Sequence, residues 1–424
     1  VEAMRAEWEG GGAQPSDRDL VEHLRANPVE SEGWGGSSLD ERGDVDAALA
    51  AADITVQAAY TTAYIAHVPL ETRVAVAHWE GGRLTVWTGT QRPFGVRDEV
   101  ADRLGVDEAA VRVIVPATGG GFGGKHAVEA AVEAAVFARA SGRPVKVRWS
   151  RAEEFAFGYL RPAAVIDVRS AATRDGDLTA WDFRNLNSGA AGIGNPYRCA
   201  DERIEFRPAD SPLAQGSYRA LAATANAFAR ESQIDELANA CGVDPIEFRV
   251  RNLDDERLAD VLRAAADRVG WNATRDGQGS ALGVACAEEK GARVATVALV
   301  RMDGDRPVVE RLVTAFDCGA IIDRDNLANQ VEGATVMGLG PALFEAIRFA
   351  DGRITNGTMT DYRVPRFADV PEVDVVLVDR PDNEPTGAGE TPLIAVAPAI
   401  ANAIFAATGK RLRSMPLLPD DRLP

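Results

Sequence analysis

Five glycines around a single aromatic residue form the segment of this sequence best suited to hold a ligand. The run Gly119–Lys125 reads Gly-Gly-Gly-Phe-Gly-Gly-Lys and follows strand-like residues 111–116. Because glycine has no Cβ atom, such a backbone can adopt positive φ and bring its amides against a bound group. The segment therefore predicts a site lined by backbone, and the alternative is a tight turn between packed elements.

The residues that follow this glycine loop have the composition of a helix, with strong helix formers over Ala127–Arg139. A strand, a glycine loop and a helix in this order can direct unpaired amides at an anion. The spacing also fits the first seven positions of the P-loop pattern G-x-x-x-x-G-K, but His126 stands where a Ser or Thr should bind Mg²⁺. A nucleoside triphosphatase is disfavoured, and nucleotide binding through an imperfect P-loop stays as a third alternative.

Three further side chains could take part in chemistry. Glu390 ends the run 386–390, Thr-Gly-Ala-Gly-Glu, before a helix whose N-cap we predict to be Thr391. It is either an acid favoured by the helix dipole or, if it faces a cavity, a general base. Arg219 could clamp an anion with its planar guanidinium or be solvated. Gln91 lies at the end of a predicted strand, where glutamine is commonly a turn residue.

The elements that must position these residues alternate irregularly along the chain, which indicates an α+β fold rather than a regular doubly wound sheet. Glycines end several of the predicted helices. The predicted strands are Ile54–Tyr64, Arg73–Trp79, Leu84–Thr90, Val145–Trp149, Ala163–Ala171, Leu178–Asn187, Ala292–Met302, Val308–Asp317 and Val373–Asp379. The other predicted helices are Phe94–Leu104, Ala223–Ala240, Asn326–Ile347 and Ile394–Thr408.

A chain of 424 residues exceeds what one hydrophobic core usually supports, so two domains are expected. We assign 1–46 to the end of an upstream element plus an extended linker, because residues 10–46 are rich in Gly, Ser and acids. A first domain is expected over 47–275 and a second over 276–424. The glycine-containing polar stretch 271–280 suggests this boundary.

The composition limits the partners of the chain. A formal net charge of −18 repels nucleic acid and anionic membranes, and no run approaches the ~18 apolar residues of a membrane span. The four cysteines are dispersed and form no C-x-x-C pair, and the four histidines form no zinc motif. We therefore expect a cytoplasmic protein with reduced thiols, no nucleic acid partner and no membrane span.

Together, the glycine loop, the run 386–393 and the helix around 329–340 resemble the molybdopterin-binding large subunit of the xanthine dehydrogenase and aldehyde oxidase family. The resemblance begins near residue 50 and is closest to bacterial isoquinoline 1-oxidoreductase-like members. It implies two mixed α/β molybdopterin-binding domains. It also implies oxidative hydroxylation of an aldehyde or N-heterocycle carbon, with water as the oxygen source.

The resemblance assigns roles to individual residues. It implies that the cofactor is bound by Gln91, Gly120, Gly121, Phe122, Gly123, Arg219 and Gly389. Glu390 matches the family's general base, and Arg219 matches the arginine of an x-R-G-x-G stretch whose amide faces the metal. His126 and Leu221 would line the substrate pocket, where xanthine-oxidising members carry glutamate and phenylalanine. This difference disfavours a purine substrate.

The cofactor implied by the resemblance is molybdopterin, with the cytosine dinucleotide form favoured, and its molybdenum is held by the pterin dithiolene rather than by protein side chains. An iron-sulfur (2Fe-2S) subunit and a flavin (FAD) subunit would receive the electrons. The family's G-Q-G element and its upstream domain are interpreted as absent from this sequence. This favours a companion chain that completes the site, and the alternative is a truncated, non-catalytic cofactor-binding scaffold.

Overall fold

The computed structural model describes residues 12–30, 35–271 and 280–423. Within these ranges, ten α-helices pack on β-sheets of six, four and four strands, and two short strands form a separate ribbon. The fold is α+β with mixed sheets, as expected.

The elements follow one another in an irregular order. The strands are β1 (Ser38–Arg42), β2 (Ile54–Thr62), β3 (Val74–Glu80), β4 (Arg83–Thr88), β5 (Val111–Ile114), β6 (Val145–Arg148), β7 (Ala164–Ala172), β8 (Leu178–Leu186), β9 (Asp201–Arg207), β10 (Ser280–Glu289), β11 (Ala292–Asp303), β12 (Arg306–Asp317), β13 (Phe349–Ala350), β14 (Arg353–Ile354), β15 (Glu372–Leu377) and β16 (Ser414–Met415). The helices are α1 (Leu20–Ala26), α2 (Val45–Ala51), α3 (Pro93–Leu104), α4 (Glu129–Ser141), α5 (Arg151–Phe157), α6 (Ala223–Cys241), α7 (Pro245–Asn252), α8 (Glu256–Val269), α9 (Arg324–Leu343) and α10 (Val396–Thr408). Short 3₁₀ turns cover Asp17–Asp19, Glu108–Ala110, Phe367–Asp369 and Thr391–Leu393.

One four-stranded sheet, in the order β5-β4-β3-β6, carries the glycine loop at its edge. Alternate residues of β3 and β4 face inward, and Ala75, Ala77, Leu84 and Val86 are fully buried against α3 and α4. The parallel pairing of β4 with β5 brings the ends of both strands to the same edge. The residues after β4 and the loop after β5 therefore lie side by side.

The other two main sheets share one hydrophobic core. The six-stranded sheet has the order β1-β9-β8-β7-β2-β16, and the second four-stranded sheet has the order β10-β11-β12-β15. Helix α6 contacts β2 and β7 on one side and β10 and α10 on the other, and every residue over 223–238 is buried. Its Glu231 carboxylate is satisfied internally by Arg249 at 2.9 Å, so α6 acts as a fixed central support.

Within the described ranges, one helical segment, Thr391–Thr408, is long and apolar enough by composition to cross a membrane. In this fold 78% of it is buried inside the protein, where α10 packs against β10 and β11. Its apolar character is explained by this position in the core.

The prediction of an extended linker within 1–46 is wrong for the residues of this range that the structure describes. Helix α1 buries Leu20 and Leu24 in a core cluster, and β1 pairs with β9 at the edge of the large sheet. Every residue of β1 is exposed, so the strand lacks the apolar alternation by which strands are identified. The upstream element expected at the start of the chain, and the boundary proposed at 275, fall outside the described residues, and the two-domain division stays a prediction.

Candidate cofactor and active site

Six separate segments meet around one cavity of about 580 Å³. They are the end of β4, the glycine loop, the loop before α6, the turn between β10 and β11, helix α9 and the segment before α10. Eight residues predicted from the sequence line this cavity: Gln91, Phe122, Gly123, His126, Arg219, Leu221, Gly389 and Glu390. Gly120 and Gly121 belong to the same loop but are not part of the lining. The lining is completed by four residues that were not predicted: Ser217, Tyr218, Lys290 and Gln330.

The glycine loop is shaped by contacts with its own protein. Phe122 has φ 53° and Gly123 has φ 99°, so the chain turns back at the cavity wall. A Cβ on Gly121 would lie 2.6 Å from Oε1 of Gln91, and one on Gly123 would lie 2.6 Å from the carbonyl oxygen of Ser217. These glycines are therefore needed for close packing of the loop, which then presents its backbone to the cavity.

Gln91 is fixed by this loop. Its Oε1 accepts hydrogen bonds from the backbone amides of Gly123 at 3.1 Å and Lys125 at 3.3 Å. The amide of Gln91 itself donates to the Lys125 carbonyl oxygen at 3.0 Å. Because the side-chain oxygen is occupied, the NH₂ end of Gln91 is the donor available to a group in the cavity.

The P-loop alternative does not fit the geometry. The side chain of Lys125 is only 2% exposed, and its Nζ lies 3.5 Å from Oε2 of Glu71. Helix α4 begins at Glu129, two residues later than the helix predicted from the sequence. A phosphate on the loop would therefore meet neither the lysine nor the first turn of a helix.

Arg219 ties three segments together. Its Nε donates to the Gly389 carbonyl oxygen at 2.6 Å, and its Nη2 donates to Oε1 of Gln330 at 2.8 Å. Burial lowers the pKa of Arg219. Its backbone amide, which the resemblance directed at the metal, donates instead to the Phe122 carbonyl oxygen at 2.8 Å. That expectation is wrong here, because the amide already has a partner within the protein.

The two residues after Arg219 have an unusual backbone. Ala220 has φ 70° and Leu221 has φ 49°, a region that residues other than glycine rarely adopt. Ala220 occupies the place of a glycine in the x-R-G-x-G pattern. Such backbone strain persists only where surrounding contacts impose it, and it is concentrated at functional sites.

Glu390 faces the cavity, and its side chain is 31% exposed. Oε1 accepts from the Ala220 amide at 3.3 Å, and the Lys290 ammonium contacts Oε2. Glu390, rather than Thr391, is the N-cap residue of the 3₁₀ turn that precedes α10. A carboxylate held at both oxygens and open to a cavity has the placement that a general base requires.

Two histidines lie at this end of the molecule. His126 lines the cavity, and burial, together with the charge of Arg92, lowers its pKa. His67 is buried behind the glycine loop, and desolvation lowers its pKa to about 4. The Nε2 of His67 lies 2.6 Å from the Ser217 carbonyl oxygen, so the neutral ring supports the loop before α6.

Lys290 and Gln330 gave no usable signal in the sequence. Lys290 is the first residue of the two-residue turn Lys290-Gly291 between β10 and β11, where a lysine is commonly solvated. Gln330 lies on α9, inside the run that carried the family resemblance, without a motif of its own. Their positions depend on how the two halves of the chain pack.

The interpretation that a G-Q-G element is absent from this sequence is wrong. The tripeptide Gly277-Gln278-Gly279 occurs in the sequence. It lies within 272–279, outside the described residues, so its position relative to the cavity is not part of this structure. The case for a companion chain loses this support.

Comparison with known families covers most of the segments that line the cavity, although Gly389 and Glu390 lie beyond the matched residues. Two family models described as molybdopterin cofactor-binding domain match residues 36–253 and 205–371. The chain is 30% identical over 453 aligned residues to a component of nicotinate dehydrogenase from Pseudomonas putida, covering 96% of this chain and 37% of that protein. It is 28% identical to the beta component of isoquinoline 1-oxidoreductase from Brevundimonas diminuta, covering 95% of this chain and 55% of that protein. The chain thus spans 37% of the length of the first relative and 55% of the length of the second.

Solved structures share the fold at lower sequence identity. Quinoline 2-oxidoreductase from Pseudomonas putida 86 superimposes with a TM-score of 0.87 and 18% identity, covering 98% of this chain and 82% of that chain. CO dehydrogenase from Oligotropha carboxidovorans gives a TM-score of 0.81 and 17% identity, covering 90% of this chain and 76% of that chain. At these identities the likeness concerns the fold.

Proposed function

Because the chain belongs to the molybdopterin cofactor-binding family of molybdenum hydroxylase large subunits, we propose that its cavity binds molybdopterin and hydroxylates an aldehyde or N-heterocycle carbon. The observation that carries this proposal is the convergence of Gln91, the glycine loop and Glu390, residues far apart in sequence, on one cavity. The names of relatives that act on nicotinate, isoquinoline and quinoline support an N-heterocycle.

The residues present fit the metal-bearing end of the cofactor. A cavity of about 580 Å³ lies in the size range of small-molecule sites. The NH₂ group of Gln91 and the backbone of Phe122 and Gly123 are neutral groups fixed in place before a ligand arrives, so they can orient it at little entropic cost. Arg219 and Gly389 would support this wall through their mutual hydrogen bond.

In the proposed reaction, the substrate C–H bond and one O–H bond of water are broken and a C–O bond forms, which releases two protons and two electrons. Bound molybdopterin supplies the molybdenum centre that accepts the two electrons. Glu390 takes the proton from the water-derived oxygen as that oxygen attacks the substrate carbon, which is general-base catalysis. His126 and Leu221 would contact the ring or side chain of the substrate beside Glu390.

The finer details of the assembly are also proposals. The cytosine dinucleotide form of the cofactor, an iron-sulfur (2Fe-2S) partner and a flavin (FAD) partner follow from the family resemblance. A cytoplasmic location is supported by the four free cysteines. The wide separation of these cysteines in the sequence supports placing the iron-sulfur centres on a partner.

Elemental analysis for molybdenum, with identification of the released pterin nucleotide, tests the proposal. The chain is expressed alone and again with its neighbouring subunits in a molybdenum-replete host. We expect close to one molybdenum per chain in the assembled sample, and turnover of aldehydes or N-heterocycles. No molybdenum in either sample would refute the enzyme and leave the non-catalytic scaffold as the better account.

A further inference from the structure

The turn between β10 and β11 places a lysine inside the candidate active site. Lys290 lines the cavity, and its ammonium contacts Oε2 of Glu390. The lysine side chain remains 48% exposed, so it can be reached from the cavity. An ammonium has three N–H donors, and the contact with Glu390 leaves capacity for a second anionic group.

The backbone of this turn does not favour a lysine. Lys290 has φ 52° and Gly291 has φ 80°, as in the type I′ turns that join antiparallel strands. The first position of such a turn prefers asparagine, aspartate or glycine, because other L-residues are disfavoured at positive φ. The backbone conformation of the turn thus disfavours a lysine at position 290, and its presence there indicates a role for the side chain.

The other basic groups of the cavity are less able to receive an anion. The Nε and Nη2 of Arg219 already donate to Gly389 and Gln330. Burial and the charge of Arg92 lower the pKa of His126, which disfavours its charged form. The lining thus carries two cations, Lys290 and Arg219, and one anion, Glu390. The chain as a whole carries a net charge of −18, so the local excess of positive charge distinguishes this cavity and favours the binding of an anion there.

We propose that Lys290 is a specificity-determining residue that selects substrates carrying a carboxylate near the carbon to be hydroxylated. The inference rests on the proposed function and names the substrate class for the same site. The substrate carboxylate shares the Lys290 ammonium with Glu390, which brings the reacting ring beside the base. Neutral analogues of the same shape lack this contact.

The experiment compares pyridine-3-carboxylate with the neutral pyridine-3-carboxamide. Binding of each to the cofactor-free chain is measured by isothermal titration calorimetry at pH 7.5 in low salt, for the wild type, Lys290→Asn and Lys290→Arg. Lys146→Asn, at an exposed position on β6, makes the same change of charge away from the cavity. Asparagine tolerates positive φ, so Lys290→Asn should retain the wild-type melting temperature.

We expect the carboxylate to bind the wild-type chain more tightly than the carboxamide. Lys290→Asn should weaken carboxylate binding at least tenfold and leave carboxamide binding unchanged, whereas Lys290→Arg and Lys146→Asn should stay within about threefold of wild type. Glu390→Gln should tighten carboxylate binding, because it releases the ammonium. Equal binding of the two ligands by the wild type, or equal losses for both in Lys290→Asn, would overturn the inference.

This outcome is separable from that of the proposed function. Carboxylate selectivity is measured without cofactor, whereas the proposed function is tested by molybdenum content. A chain that takes up molybdenum but binds both ligands alike would refute only the role of Lys290. A chain that selects the carboxylate but never takes up molybdenum would refute the hydroxylase, and it would leave Lys290 as a carboxylate-binding residue without a role in substrate choice.

Discussion

The side-chain oxygen of Gln91 lies 3.1 Å from the backbone nitrogen of Gly123. The two residues come from neighbouring parallel strand ends, and their hydrogen bond holds the glycine loop against the edge of the sheet. It also fixes which end of the Gln91 amide can face the cavity. The loop and the glutamine therefore form one preorganised wall.

Gln91→Glu should separate these two roles. The carboxylate can still accept from the amides of Gly123 and Lys125, so the melting temperature should stay close to that of the wild type. The NH₂ donor is lost, and we expect molybdenum content and turnover of the assembled enzyme to fall roughly tenfold or more, since a donor into the site becomes an acceptor. Gln57→Glu, at an exposed position on β2, is the matched control. Full molybdenum content with normal turnover would contradict the role of Gln91.

Gly121→Ala tests the packing of the loop. The added Cβ would lie 2.6 Å from Oε1 of Gln91, closer than real contacts allow, so the glutamine or the loop must shift. We expect most of the molybdenum to be lost. Gly333→Ala on α9 is the control, because a Cβ there meets nothing within 4 Å. If Gly121→Ala retained molybdenum like the control, the loop contact would be unnecessary for the site.

Glu390→Gln tests the general base. The amide keeps the size of the side chain but cannot take up a proton, so turnover should fall by roughly 10²- to 10⁴-fold while molybdenum content is unchanged. Glu332→Gln, an exposed position on α9, should leave both quantities unaffected. Near-normal turnover of Glu390→Gln would remove this residue from the mechanism.

The parts of the fold that could be predicted are those with local signals. Four predicted helices end at a glycine that adopts the left-handed conformation, because only glycine fits there without strain: Gly105, Gly142, Gly242 and Gly409. Helix α8 has an Asp255 cap and a strongly amphipathic pattern, and it was overlooked although its sequence carried the signal. Strand β1 could not be predicted, because all its residues are exposed and ion pairs, such as Glu41 with Arg203, replace apolar alternation. Strand β9 does carry a local signal, since Ile204 and Phe206 alternate with charged residues and are buried, but it was not among the predicted strands.

The residues of the candidate site likewise divide into those with a local sequence signal and those without one. Gln91, Phe122 and Glu390 were selected from motifs, and the structure brings them to one cavity. The contact between Lys290 and Glu390 depends on a hairpin turn meeting the segment before α10, and no local pattern encodes such a meeting. Likewise, the partner of the Arg219 amide is a tertiary contact that no spacing rule could give.

The buried carboxyl of Glu345, beside Tyr362, predicts an unusual dependence of stability on pH. Desolvation raises the pKa of Glu345 from 4.5 to about 7, although Tyr362 donates to it at 3.0 Å. Between pH 4.5 and 7 the folded protein keeps a proton that the unfolded chain releases. The contribution of Glu345 to the free energy of unfolding is therefore fully present below pH 4.5. It is lost as pH rises through 7, and the loss amounts to about 3 kcal/mol.

Glu345→Gln removes this titration. The free energy of unfolding is measured by urea unfolding from pH 4.5 to 8 for the wild type, Glu345→Gln and the control Glu332→Gln. Over this range it should fall less in Glu345→Gln than in the other two proteins. Parallel curves for all three would show that Glu345 is ionised in the folded state.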